Sequence, residues 1–155
     1  MLKYVDTRVC FAEVPDEITL CINISNCPCH CEGCHSSHLA EDIGKELNEL
    51  ELSSLIKSNE GISCVAFMGG DSSPHDIHHL AMFIREIYPY LKVAWYSGRE
   101  QIHISAALNL HDYDFIKIGP YISERGPLDN QNTNQRFYQV ENGELVDITH
   151  KFWKK

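Results

Sequence analysis

Short apolar runs recur along this chain, and longer segments of mixed apolar and polar residues separate them. The runs contain valine, isoleucine and aromatic residues but no proline, a composition typical of buried strands. They lie at residues 19–24, 62–67, 91–95 and 115–118. Because these runs alternate with segments of helical periodicity, the pattern predicts an α/β fold with parallel strands joined by right-handed crossovers.

The clearest helix is predicted between the second and third runs, over about 74–88. Its apolar side chains recur with the period of roughly 3.6 residues that places them on one helix face. Ser73 is a suitable N-cap, Pro74 suits the first helical position, Asp76 completes a capping-box pattern and Pro89 ends the helix. Weaker periodicity predicts further helices near 49–58 and 100–108.

A β-hairpin is predicted near the end of the chain. The runs 137–141 and 144–147 flank Asn142-Gly143, which is a strong two-residue turn signal. The last residues, 151–155, are aromatic and basic. They favour a terminal element that packs Phe152 and Trp153 on the core, and a tail that docks a partner is the alternative.

The composition is typical of a single soluble domain, with 155 residues of which 43 % are hydrophobic and 23 % charged. The N-terminus lacks the apolar stretch of a signal peptide and no apolar run approaches a membrane span, so we expect a cytoplasmic protein without a membrane partner. The net charge of −9 argues against direct binding to nucleic acid. The acidic stretch 41–60 is typical of a solvated helix face, and an electrostatic docking surface for a protein partner is the alternative.

Seven cysteines in a chain without a signal peptide point to metal or redox chemistry rather than to a disulfide scaffold. Cys27, Cys31 and Cys34 are spaced C-x3-C-x2-C in the loop after the first predicted strand. Three thiolates leave one iron of a four-iron cluster without a protein ligand, and chemistry takes place at such an open position. Zinc held by these three cysteines with His30 or His35 is the alternative.

The remaining cysteines have different predicted roles. Cys10, Cys21 and Cys64 lie in apolar patterns, where a cysteine is usually a small core residue. Cys29 lies inside the loop and is an extra thiolate, a spectator or a site of oxidation in the isolated protein.

Turns with unusual residues follow all four predicted strands. The cysteine loop follows the first strand, and the later turns are Gly69-Gly70-Asp71, Ser97-Gly98-Arg99 and Gly119-Pro120. Because the C-terminal ends of parallel strands share one edge of a sheet, we expect these turns to converge on one site.

The cysteine loop and the Gly-Gly-acid turn resemble the radical S-adenosylmethionine (SAM) superfamily. Within it, segments 31–35 (Cys-Glu-Gly-Cys-His), 68–71 (Met-Gly-Gly-Asp) and 133–136 (Thr-Asn-Gln-Arg) are similar to the activating proteins of anaerobic ribonucleoside-triphosphate reductase. The likeness runs over about residues 17–140. It implies a reduced, partial (β/α) barrel. Together with the C-terminal β-hairpin predicted above, this gives an α/β fold in one domain spanning residues 1–155.

The resemblance implies an enzyme in which Cys27, Cys31 and Cys34 hold a [4Fe–4S] cluster whose open iron binds SAM. Reductive cleavage of SAM would give a 5′-deoxyadenosyl radical, which removes a hydrogen from a glycine of the reductase's catalytic subunit. A small electron donor such as flavodoxin or ferredoxin is implied as a second partner, and a homodimer is a candidate assembly. The alternatives are an activase of another glycyl-radical enzyme and a non-catalytic iron–sulfur or zinc protein for electron transfer or assembly.

The resemblance also assigns roles to single residues. The residues that it assigns to SAM binding are Gly33, Cys34, His35, Gly69, Gly70, Asp71 and Ser97. Asp71 would face the methionine ammonium, or alternatively cap the following helix. Arg99 and Lys117 are weaker candidates for the SAM carboxylate or ribose, and Arg136 would contact a partner or cofactor, or form a salt bridge. A Gly70 substitution is expected to be harmless in a non-catalytic protein.

Overall fold

The regular structure consists of one mixed sheet and two α-helices in residues 2–25, 43–98 and 110–153, which the computed structural model describes. The strands are β1 (Lys3–Cys10), β2 (Thr19–Ile24), β3 (Lys45–Glu46), β4 (Cys64–Met68), β5 (Lys92–Tyr96), β6 (Phe115–Ile118), β7 (Arg136–Glu141) and β8 (Glu144–Asp147). The helices are α1 (Glu49–Ser58) and α2 (Pro74–Ile87). Neither helix is long and apolar enough to cross a membrane.

Four parallel strands form the centre of the sheet, whose order is β3-β1-β2-β4-β5-β6-β7-β8. Strands β2, β4, β5 and β6 pair in parallel, so their C-terminal ends lie at the same edge. These are the four strands predicted from the apolar runs, with boundaries that differ by at most two residues. The α/β class is therefore confirmed. The described strands form an open sheet, and the partial barrel stays a prediction.

The sheet is buried on both faces, as parallel strands require. Alternate residues of β4 enter two different cores, Val65 and Phe67 on one face and Cys64 and Ala66 on the other. Helices α1 and α2 cover the first face through apolar residues that include Leu52 and Ile84. Irregular segments cover the second face, with buried side chains Val14, Leu128 and Ile148.

Strand β1 was not predicted from the sequence. It pairs antiparallel with β2, and a bulge interrupts the pairing between Tyr4 and Asp6. Its side chains are half-buried or exposed, and they include the charged residues Asp6 and Arg8. A strand with so few buried apolar positions gives a weak periodic signal, and pairing with β2 supplies the missing stabilisation.

Both helices in the described residues begin where the sequence predicts. The N-cap of α1 is Asn48, whose side chain accepts a hydrogen bond from the Glu51 N–H at 2.9 Å. Ser73 is the N-cap of α2, but its side chain makes no capping hydrogen bond, so the predicted capping box is wrong. The Ser73 carbonyl instead accepts the Asp76 N–H at 3.0 Å. The helix predicted near 100–108 lies outside the described residues.

The C-terminal hairpin is confirmed. Asn142 and Gly143 connect β7 to β8 with positive φ angles of 52° and 77°, as the favoured two-residue turn requires. A 3-10 turn at Thr149–Phe152 follows the hairpin, and the Phe152 ring lies 4.9 Å from the Phe137 ring, centroid to centroid. The predicted packing of Phe152 on the core is therefore confirmed.

We expect Phe152→Ala to lower the free energy of unfolding by about 2 kcal/mol, because it removes an aromatic side chain that packs on Phe137. Phe11→Ala is the matched control, since the Phe11 side chain is 73 % exposed and its removal should change the free energy by less than about 0.5 kcal/mol. Anaerobic urea unfolding followed by circular dichroism measures both. Equal losses in the two variants would contradict the packing of the C-terminal turn.

Candidate functional site

The turns after three of the parallel strands lie together at one edge of the sheet. They are Gly69–Asp71 after β4, Ser97-Gly98 after β5 and Gly119-Pro120 after β6. The predicted convergence is confirmed for these residues. Several predicted site residues lie outside the described part of the chain, namely Cys27, Cys29, His30, Cys31, Gly33, Cys34, His35 and Arg99. Ser25, the last described residue after β2, donates its N–H to the Lys3 carbonyl at 2.9 Å.

The Gly69 backbone is held by β5. Its N–H donates to the Tyr96 carbonyl at 3.0 Å, and its carbonyl accepts the Trp95 indole N–H at 2.7 Å. A carbonyl oxygen has a second lone pair, so Gly69 can still accept a hydrogen bond from a ligand. Sequence reasoning assigned no role to Trp95, because an indole in an apolar run is usually a core side chain.

Asp71 joins the turn after β4 to the turn after β5. The residue is only 3 % exposed, and its carboxylate accepts hydrogen bonds from the Ser97 hydroxyl at 2.5 Å and the Gly98 N–H at 2.9 Å. Hydrogen bonds to a charged acceptor are the stronger kind, so this contact fixes both turns. Asp71 lies outside α2, whose N-cap is Ser73, and the alternative role of Asp71 as the cap of that helix is wrong.

Lys117 brings a buried positive charge to the same edge. Its side-chain ammonium donates to the carbonyls of Ser97 at 3.2 Å and Gly119 at 2.7 Å. Ser97 therefore contacts the Asp71 carboxylate through its hydroxyl and the Lys117 ammonium through its carbonyl. Two opposite buried charges next to one residue compensate each other. They also match the ammonium and carboxylate groups of an α-amino acid, which makes these turns chemically suited to such a ligand.

Gly70 is required by the fold itself. Its φ is +92°, and a Cβ atom at this position would lie 2.5 Å from Cδ1 of Ile77 on α2. Both the backbone conformation and the contact with a core side chain exclude a larger residue. The expectation that a Gly70 substitution is harmless in a non-catalytic protein is therefore wrong. Loss of activity in such a variant would not distinguish a ligand site from a folding defect.

The Thr133–Arg136 segment adds a fourth part to this edge. It leads into β7, whose first residue is Arg136 and which runs antiparallel to β6, so Asn134 and Gln135 lie beside Gly119. The Asn134 amide donates to the Pro120 carbonyl at 3.0 Å, and the Thr133 hydroxyl donates to the Gly126 carbonyl at 3.0 Å. Arg136 forms a salt bridge, as its alternative role predicts: its guanidinium Nη1 lies 3.8 Å from Oδ2 of Asp147.

Cys21 and Cys64 are core residues, as predicted. Both are fully buried on the face of the sheet opposite the helices. Burial is the largest cause that raises the pKa of the Cys64 thiol to about 12. Among the residues that the structure describes, no group of three or more His, Cys, Asp or Glu side chains is arranged to hold a metal ion.

One family model matches most of the chain. Residues 18–140 match a family described as a 4Fe-4S single cluster domain. This range contains all four parallel strands, both helices and the C-x3-C-x2-C loop. Neither a curated protein nor a solved structure gives a significant match.

We expect Gly70→Ala to lower the free energy of unfolding by about 2–4 kcal/mol, through backbone strain and the collision with Ile77. Gly61→Ala is the matched control, because Gly61 has a similar φ of +90° and no atom within 4 Å of a new Cβ. The free energy of unfolding of the control should fall by about 1–2 kcal/mol, which is the cost of backbone strain alone. Urea unfolding of both variants without added ligand gives the comparison, and equal losses would show that Ile77 does not restrict this turn.

Proposed function

The chain belongs to the family of 4Fe-4S single cluster domains, and we propose that it is a radical SAM enzyme that generates the glycyl radical on anaerobic ribonucleoside-triphosphate reductase. The observation that carries the proposal is the combination of two features at one sheet edge. The C-terminal end of β2, after which the sequence continues into the three-cysteine segment, lies at the same edge as Asp71 after β4 and the oppositely charged Lys117 near the end of β6.

The cysteine spacing supports a cluster with one open iron. In this proposal Cys27, Cys31 and Cys34 are the three ligands, and Cys29 is not one of them. An iron–sulfur protein that only transfers electrons normally uses four protein ligands. The family match over residues 18–140 favours iron–sulfur chemistry over the zinc alternative.

The turns after β4, β5 and β6 would hold the amino acid part of SAM. The Asp71 carboxylate suits the ammonium group, Lys117 suits the carboxylate, and the backbone of Gly69 and Gly70 would lie against the ligand. Gly33, His35 and Ser97 are the further proposed contacts. When bound, the reduced cluster and SAM supply one-electron cleavage of the sulfonium.

The protein's own contribution is to position the ligand and to exclude water. The hydrogen bonds of Asp71, Ser97 and Lys117 fix three turns before any ligand arrives, so little ordering is left for binding. Fixed polar groups in a site closed to water also protect a reactive species from side reactions.

The proposed partners are the catalytic subunit of the reductase and a small electron donor such as flavodoxin or ferredoxin. The net charge of −9 supports a protein rather than a nucleic acid as the partner. A cytoplasmic location agrees with both partners and is part of the proposal.

Anaerobic reconstitution with iron and sulfide, followed by reduction, tests the proposal. We expect a [4Fe–4S] electron paramagnetic resonance signal that changes when SAM is added, and release of 5′-deoxyadenosine. Adding the catalytic subunit of the reductase should produce a glycyl radical signal. Cys27→Ala should lose the cluster and all three results.

Cys64→Ala is the matched control, because Cys64 is a core residue of β4 and its replacement should leave the cluster content unchanged. Stoichiometric zinc with no effect of SAM would contradict the proposal. The protein could instead cleave SAM and form a glycyl radical on another glycyl-radical enzyme but not on this reductase. That result would contradict the proposed partner and support the proposed radical SAM chemistry.

We expect Asp71→Asn to raise the SAM concentration for half-saturation about tenfold, which corresponds to about 1.4 kcal/mol, because it removes the negative charge facing the ammonium. The iron content should stay at the wild-type value. The control is Asp129→Asn, at an exposed position in the loop before Thr133. Unchanged half-saturation in Asp71→Asn would remove Asp71 from the proposed ligand contacts.

A further inference from the structure

Two cysteines lie close together on the face of the sheet opposite the helices. In the antiparallel pair of β1 and β2, Cys10 is opposite Thr19 and Cys21 is opposite Arg8. Residues that are opposite each other project to the same face, so Cys10 and Cys21 are diagonal neighbours on that face. Cys21 belongs to the buried core cluster that contains Tyr96 and Phe137, and the partly buried Cys10 packs against that cluster.

The two thiols differ in their access to solvent. Cys21 is fully buried, whereas Cys10 is half-buried at the end of β1. Burial is the largest cause that raises the pKa of the Cys21 thiol, followed by the charge and the side-chain hydrogen bonding of Cys10. Cys21 therefore stays protonated beside Cys10, and Cys10 is the thiol that a small oxidant in solution can reach.

We propose that Cys10 and Cys21 are a site of reversible oxidation that forms a disulfide in the presence of hydrogen peroxide. The Cys10 sulfur first attacks the peroxide, giving a sulfenic acid at Cys10 and one water molecule. The Cys21 sulfur then attacks the Cys10 sulfur: the S–S bond forms, the S–O bond of the sulfenic acid breaks, and the hydroxyl leaves with the Cys21 thiol proton as a second water molecule. Peroxide is the oxidant, and a dithiol reductant returns both thiols.

The end of β1 allows the geometry that a disulfide needs. Diagonal neighbours have Cα atoms about 7–8 Å apart, and a disulfide requires no more than about 6.8 Å. Cys10 is the last residue of β1 and a bend follows it, so the strand end can make this small approach. Cys10 pairs with Thr19, the first residue of β2, so the bond lies at the opposite end of the strands from the candidate site.

Cys64 provides a matched control for this pair. It also lies opposite Thr19, but on the parallel strand β4, with β2 between it and Cys10. Cys64 is fully buried, which keeps it from a dissolved oxidant.

Peroxide treatment of the reconstituted protein, followed by alkylation and digestion after glutamate, tests the proposal. Cleavage after Glu13, Glu17 and Glu32 places Cys10 and Cys21 in separate peptides, 1–13 and 18–32. We expect these peptides to be joined, with a combined mass lower by two hydrogen atoms, and fragment ions that assign the bond to Cys21 rather than to Cys27, Cys29 or Cys31. Dithiothreitol should release them.

Stability is a second readout. Oxidation should raise the urea midpoint of the wild type, because the bond closes a short loop in the unfolded chain. Cys10→Ser should show neither the joined peptides nor the shift, and Cys64→Ala should show both. The inference is overturned if Cys10 stays a free thiol, becomes a sulfinic acid or joins a cysteine of residues 27–34. These readouts do not depend on SAM or on a partner, so they can fail or succeed independently of the proposed function.

Discussion

The buried carboxylate of Asp71 is the contact on which the candidate site depends. It accepts hydrogen bonds from the Ser97 hydroxyl and the Gly98 N–H, and so joins the ends of β4 and β5. Lys117 extends this arrangement to the end of β6 through the Ser97 carbonyl. A buried charge without such partners would be strongly unfavourable, so the three turns have little freedom to move independently.

The same residues serve the fold and the proposed chemistry. Gly70 allows the turn to pass close to Ile77. Both the N–H and the carbonyl of Gly69 form hydrogen bonds with residues of β5. A glycine in this turn is therefore explained by packing alone, without a ligand. The charges of Asp71 and Lys117 are more informative about function, because two opposite buried charges are costly and an apolar pair could have filled the same space.

The two faces of the sheet are covered by different kinds of structure. One face is covered by two amphipathic helices, and the other by irregular segments and the C-terminal turn. Among the described residues, three thiols lie on the second face, and two of them are fully buried. Cys10, the partly exposed one, lies beside Cys21 only because β1 pairs antiparallel with β2. The proposed oxidation site is therefore a product of strand register.

The sequence by itself determined the four parallel strands, both described helices and the hairpin, because each has a local signal: an apolar run, a helical period or Asn142-Gly143. It also determined that unusual turns follow the strands and that three cysteines share one loop. Only the tertiary structure decided that β1 joins the sheet, that Asp71 bonds to Ser97, 26 residues away, and that Gly70 is restricted by α2. These features depend on contacts between distant parts of the chain, and no local pattern of residues encodes such contacts.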